Sequence, residues 1–331
     1  MRMRFAVLII LFAAAFIADI LLGSVNLSWS EIGDAFTGRG ENNVYREIIL
    51  NYRLPKALTA ILAGAALSVA GVLMQTLFHN PLAGPDVLGI TSGASLGVAL
   101  FTLGASSFPF WIIGGWGQVI TAVIGAVGVL LLVVIVSVKI PHAVSLLIIG
   151  VMFGQFAGAI VSILQSISNP DMLKLFVTWT FGSLSSVGWE YMGIMALVII
   201  SGLFVSFLLQ KPLNALLLGR NYAGGLGVSV FRLRLWIILA TALLAGTSTA
   251  FTGPVAFIGI TMPHVARGLF HTTNHRIIFP ATIFCGVITL LVCDVISQLP
   301  GMQGTLPINA VTSLFGAPVI VWIIMKNQRK D

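Results

Sequence analysis

An all-α membrane protein that crosses the bilayer about ten times is the fold class this sequence predicts, on three observations. Of 331 residues only 8% are charged (17 Lys+Arg, 10 Asp+Glu), while 58% are hydrophobic. A soluble domain carries roughly 25% charged residues and could not cover its surface with so few. The same hydrophobicity excludes disorder, and two cysteines exclude a disulfide scaffold. Charge-free stretches then recur along the chain, at 5–18, 57–85, 87–138, 140–170, 191–210, 235–266, 277–293 and 295–325. Finally, these runs are continuously apolar rather than alternating, so helices and not barrel strands satisfy the backbone in hydrocarbon.

A helix crosses the hydrocarbon in about 20 residues. The stretch 87–138 is too long for one span and breaks at Ser106-Ser107-Phe108-Pro109 and Gly114-Gly115-Trp116-Gly117, where turn residues and an interfacial Trp predict a hairpin. The stretch 235–266 breaks at Gly253-Pro254. Ten spans result, at 5–25, 57–78, 90–106, 118–138, 143–165, 190–209, 235–251, 255–266, 277–297 and 307–325. Met1-Arg2-Met3-Arg4 before an apolar run has the look of a signal peptide, but Asp19 and the lack of a small-x-small cleavage site argue for a retained first span. Bases at both ends of the chain (Arg2 and Arg4; Lys326, Arg329 and Lys330) place both termini inside, which an even number of spans satisfies. Most acids, among them Glu31, Asp34, Glu41, Glu47, Asp171 and Glu190, then fall outside. The net charge of +7 is thus a topology signal, and no basic cluster interleaved with aromatics points to nucleic acid.

Inside the spans, glycine recurs at helical spacing in two rows: Gly89, Gly93, Gly97 and Gly150, Gly154, Gly158. Such rows let helix backbones approach closely; lining a wide pathway is their alternative use. Intramembrane ionisable groups are scarce, namely Asp19 and, near the outer end of the ninth span, Asp294. No chain of Asp, Glu and His suits a proton or sodium relay, which weighs against an ion-coupled carrier. No G-x-x-x-x-G-K-[ST] loop is present, and Gly224-Gly225-Leu226-Gly227 lacks the following lysine. His271 and His275 are four apart but separated by loop-forming Thr272, Thr273 and Asn274, so no metal site is expected, and Cys285 and Cys293 read as core. No catalytic constellation is present.

Two inner segments carry more than a connector needs. Phe78 to Asp86 packs two prolines, a glycine and capping residues into a tight corner. Pro212 to Ser229 begins with Leu213, Leu216 and Leu217 at amphipathic helical spacing, then Gly219, then a second turn around Ala223 to Leu226. A helix pair on the inner face is a natural docking surface for another protein.

These residues resemble a family. Arg53-Leu54-Pro55-Lys56, Gly64-Ala65-Ala66-Leu67, Met74-Gln75, Asn80-Pro81-Leu82-Ala83, Leu88-Gly89 and Ser92-Gly93-Ala94 are similar to the FecCD-type permease subunits of ABC importers for iron-siderophore, haem and vitamin B12. So are Leu218-Gly219, Leu226-Gly227, Gly253-Pro254, Phe257-Ile258-Gly259, Pro263-His264, Arg267, His275-Arg276, Asp294, Leu306-Pro307 and Gly316-Ala317-Pro318. The resemblance implies a single transmembrane permease domain, 1–331, with the type II ABC importer permease fold. It implies a homodimer with a central pathway lined by 143–165 and 171–183, two ATPase subunits on the cytoplasmic face and a soluble or lipid-anchored binding protein outside. It makes 212–229 the coupling helices, with Leu213, Leu216, Leu217, Leu218, Gly219, Arg220, Leu226 and Gly227 as contacts. It gives Arg53 and Lys56 to binding-protein docking, and Asn80, Pro81, Leu82, Ala83, Pro263, His264 and Arg267 to a structural motif. Three departures stand out: Arg220 where an acid or Ser is usual, Gln298 for an Arg, and Thr305 for a Glu.

The expected function is inward movement of an intact metal chelate across a bacterial inner membrane. A ferric siderophore is the leading cargo, with haem or vitamin B12 next. The chain itself would bind no cofactor; ATP and Mg belong to the partner ATPase. The alternative is an ion-coupled secondary transporter.

Overall fold

The computed structural model describes residues 1–23, 43–104, 115–139, 143–298 and 305–328. The hairpin expected around Ser106 to Gly114, and the acids Glu31, Asp34 and Glu41, lie outside the described residues. Helices α1 (Arg2–Leu21), α2 (Asn43–Glu47) and α3 (Leu54–Phe78) come first, with a π-helical segment, Ile48–Arg53, joining α2 to α3. A 3₁₀ turn, Pro85–Leu88, leads into α4 (Ile90–Thr102), followed by α5 (Trp116–Lys139), α6 (Ala143–Ile167), the short α7 (Pro170–Thr180) and α8 (Trp189–Leu208). Two short helices, α9 (Gln210–Leu217) and α10 (Arg220–Gly225), precede α11 (Val230–Thr241), which runs through a π turn into α12 (Thr247–Thr252). The chain ends with α13 (Ile258–Phe270), α14 (His275–Ser297) and α15 (Ile308–Gln328).

Among the described residues seven helices are long and apolar enough to cross a membrane, and Ile90–Thr102 and Ile308–Trp322 are shorter apolar helices. With α13 these account for the ten spans the sequence predicts. The last helix of the α11–α12 pair ends at Gly253, whose φ of +71° is open to glycine and strained for other residues, which is why the chain turns there.

Helix α3 is the axis of the bundle. Its alanines and glycines leave no room between backbones: a Cβ on Gly64 would lie 2.7 Å from the Gly286 carbonyl oxygen of α14, and one on Gly71 would collide with the Gly259 carbonyl of α13. In a membrane, where lipid is as apolar as leucine, such close approach supplies the association energy. The glycine rows differ in what they meet. Gly93 packs against Gly125 of α5 and Gly150 against Val87, whereas Gly158 on α6 faces open space.

The two ends of the bundle follow from contacts. Arg4 Nη1 donates to the Leu269 carbonyl at 2.6 Å, putting the start of α1 beside the end of α13 and hence near α9. Asn309 N donates to the Phe181 carbonyl at 3.2 Å, so α15 starts at the opposite end and runs back. The start of α1 and the end of α15 therefore lie at the end that bears α9 and α10.

Candidate functional site

Functional residues gather at the two ends of α3. At its C-terminal end, His79 takes the left-handed conformation (φ +48°) and stops the helix. Asn80 Oδ1 then accepts from Leu82 N at 2.9 Å, an Asx turn that forms the corner. His264 of α13 donates through Nε2 to the Pro81 carbonyl at 2.7 Å. Arg267, one turn on, donates from Nη1 to Gln75 Oε1 at 2.7 Å, and Gln75 Nε2 donates to the Ile260 carbonyl at 3.0 Å. The residues assigned to a structural motif are thus brought together: Asn80 to Ala83 and His264 to Arg267 form one joint between α3 and α13. Pro263 lies buried within α13 itself.

The same end holds α9. Asn214 Oδ1 accepts from the His275 backbone N–H (3.0 Å) and ring Nδ1 (2.7 Å), while His275 Nε2 lies 2.9 Å from Thr76 Oγ1. His79 Nε2 donates to the Leu216 carbonyl at 3.1 Å. Helix α9 is therefore fastened to both α3 and α14 by neutral hydrogen bonds. Gly219, at φ +105°, makes the joint to α10, and Gly227, at φ +81°, leaves it.

One detail of the sequence reading is corrected here. Leu213 and Leu216 are buried within the chain, against the ends of α3 and α14, and cannot meet a partner. The outward apolar set is Leu217, Leu218, Tyr222 and Leu226, at 38%, 64%, 56% and 60% exposure, with Arg220 also exposed. Tyr222 was not foreseen; the period pointed to Leu213, Leu216 and Leu217 because they share an arc of α9, and burial of the first two by the chain itself left no signal in local spacing.

At the N-terminal end of α3 the chemistry is ionic. Lys56 Nζ lies 2.6 Å from Asp294 Oδ2 of α14 and 3.7 Å from Asp19 Oδ1 of α1, and all three side chains are buried. Arg53 Nη1 donates to the carbonyls of Ile20 (2.6 Å) and Leu21 (2.8 Å), closing the C-terminus of α1. Arg53 and Lys56 are only 6% and 4% exposed. The expectation that they form a docking patch is therefore corrected. Their charges are turned inward because two acids and a helix end, supplied from distant parts of the sequence, are there to receive them. Gln298 shares the site, its amide 3.3 Å from Asp294 Oδ1.

Near this end, α7 begins at an Asn169 cap whose Oδ1 accepts from Met172 N at 3.0 Å. It borders a cavity of about 660 Å³ with Trp179, Tyr191 and Phe251 on its wall and Asp171 and Lys174 at its side. Helix α6 presents Gln155, Gly158, Ser162 and Ser166 outward along one stripe.

The profile of the FecCD transport family matches residues 9–326. The chain belongs to the FecCD transport family. The vitamin B12 import system permease protein BtuC of Salmonella typhi is 34% identical over 302 residues, 91% of this chain and 89% of that protein. BtuC of Shigella boydii matches to the same extent, 34% over 302 residues. Among solved structures, a transporter described as of the metal-chelate ABC type, in an inward-facing conformation, superposes with a TM-score of 0.86 at 28% identity, covering 98% of this chain and 99% of that one. PsaBC from Streptococcus pneumoniae, solved with a Fab, reaches a TM-score of 0.51 at 17% identity over 88% of this chain and 95% of its own, a likeness of fold alone. As a FecCD chain, the protein is a multi-pass membrane transport subunit rather than an enzyme.

Proposed function

We infer that this chain is the permease subunit of a type II ABC importer in a bacterial inner membrane, carrying an intact metal chelate inward. Two copies form the pathway, ATP is hydrolysed with Mg on two partner ATPases, and a soluble or lipid-anchored binding protein delivers the cargo from outside. One observation carries this reading beyond family membership. A glycine-jointed pair of short helices, α9 and α10, exposes four large apolar side chains while hydrogen bonds fasten it to α3 and α14. Apolar side chains at the wet end of a membrane protein call for a protein partner, and the fastening gives that partner a grip on the central helix. The exposed stripe of small and polar residues on α6 supports a second copy across it, leaving a pathway between them.

Cargo follows from chemistry less directly. A ferric siderophore, haem and vitamin B12 are the candidate chelates, and the names of the similar permeases favour vitamin B12. The purified chain alone should hydrolyse no ATP, and adding its partner ATPase should create activity. Proteoliposomes with the binding protein, offered ferric siderophores, haem and cobalamin in turn, identify the cargo by ATP-dependent accumulation. Uptake driven by an ion gradient without the ATPase supports the secondary-transporter alternative instead.

A further inference from the structure

Beside α9 a cavity of about 240 Å³ opens between the C-terminal end of α3, α13 and the start of α14. Its lining includes Gln75, His79, Leu217, Arg267, Thr273 and His275. Most of these polar groups are already satisfied: His275 by Asn214 and Thr76, His79 by the Leu216 carbonyl, and Gln75 at both of its amide atoms. Arg267 differs. Half-buried at the wall, it gives one Nη1 hydrogen bond to a neutral amide and has no carboxylate partner among the described residues. A guanidinium carries five donors in a rigid fork suited to a carboxylate, and a desolvated charge is costly until paired.

The surroundings indicate what pairs with it. Lys211, Arg220, Arg232 and Arg276 stand around this end of the bundle, and Asp86, held by Thr91 at 2.5 Å, is the one acid there among the described residues. The complementary surface is therefore acidic. Leu217 sits at the cavity wall and, with Leu218 beside it, faces outward, so the complementary surface is also apolar next to that acid. We propose that this cavity receives a carboxylate side chain from the partner ATPase, which pairs with Arg267 as the exposed leucines of α9 are buried. This inference rests on the permease reading above and specifies the partner's docking chemistry.

The test uses the full chain in nanodiscs of phosphatidylcholine, with affinity for the purified ATPase as the readout. Arg267→Gln lowers affinity about tenfold, between the effects of exposed and buried charge pairs, and Arg267→Lys retains part of it. Arg267→Glu is rescued by one Asp→Lys or Glu→Lys change on the ATPase face that docks. Because Arg267→Gln also loosens Gln75, a second arm leaves the arginine in place: Leu217→Cys carrying a tethered sulfonate blocks the ATPase more strongly than the same cysteine carrying a trimethylammonium. Wild-type affinity in Arg267→Gln, equal blocking by the two tethers, or a defect seen only when phosphatidylglycerol is added to the discs would each overturn the proposal, the last by showing a lipid headgroup as occupant. Failure of the wild-type chain to bind the ATPase at all would instead defeat the permease reading.

Discussion

At the Leu54 end of α3 a buried lysine lies between two buried carboxylates, whereas at the Phe78 end His79, Thr76 and Gln75 engage neutral groups and one arginine. The first arrangement clamps α1, α3 and α14 at fixed distances, since separating buried charges leaves each uncompensated. The second ties α3 to α9 and α13 through hydrogen bonds whose net contribution is about 0.5–1.5 kcal/mol each. Such bonds exchange with water at modest cost. Under the proposed function, the contrast fits one end of the axial helix to holding the bundle together and the other to taking up motion from a docked partner.

The ionic end should break hardest. Lys56→Met removes the lysine that bridges Asp19 and Asp294 and should destabilise the chain by about 3–5 kcal/mol, read as a fall in thermal unfolding temperature in detergent. Adding Asp19→Asn and Asp294→Asn to that variant should recover most of the loss. Absence of any recovery would mean that Lys56 acts by packing rather than charge.

Next in size is a pair of leucines, one on α9 and one just past its end. Leu213→Ala removes a fully buried side chain and should cost about 2–5 kcal/mol of stability. Leu218→Asp, on the exposed side, should leave the unfolding temperature within the range of a surface change, about 0.5 kcal/mol, while co-purification with the ATPase is lost. Equal effects of the two on stability would dissolve the distinction between the buried and exposed leucines of this segment. A smaller loss than that of Leu213→Ala is expected from Asn214→Ala, which deletes the acceptor for His275. It should cost about 1–3 kcal/mol, with ATPase binding retained and the stimulation of ATP hydrolysis by the binding protein reduced, because the fastening to α14 is gone.

The spans were legible because a charge in hydrocarbon is expensive, so charge-free runs mark them. Burial was not. Helices α3 and α6 are both apolar and glycine-bearing, yet the most apolar window of the first is 83% buried and that of the second 17%. Hydropathy cannot separate a helix packed by protein from one facing lipid or a second copy, since both surroundings are apolar. The joint between Asn80-Pro81 and His264-Arg267 was legible only through resemblance, as its hydrogen bonds connect distant segments. Arg53 and Lys56 misled for the same reason: sequence places them just before a span, where a surface cation is ordinary, and says nothing of Asp19 and Asp294 converging on them.

The central claim is that the α9–α10 surface passes the work of ATP hydrolysis to the bundle. Uptake of a labelled metal chelate into proteoliposomes holding the chain, its partner ATPase and the binding protein tests it most directly, with wild type and Leu218→Asp compared side by side. The account predicts accumulation that requires ATP in the wild type and falls to background in the variant, with folding and dimer formation unchanged. Undiminished ATP-driven uptake by Leu218→Asp would contradict it.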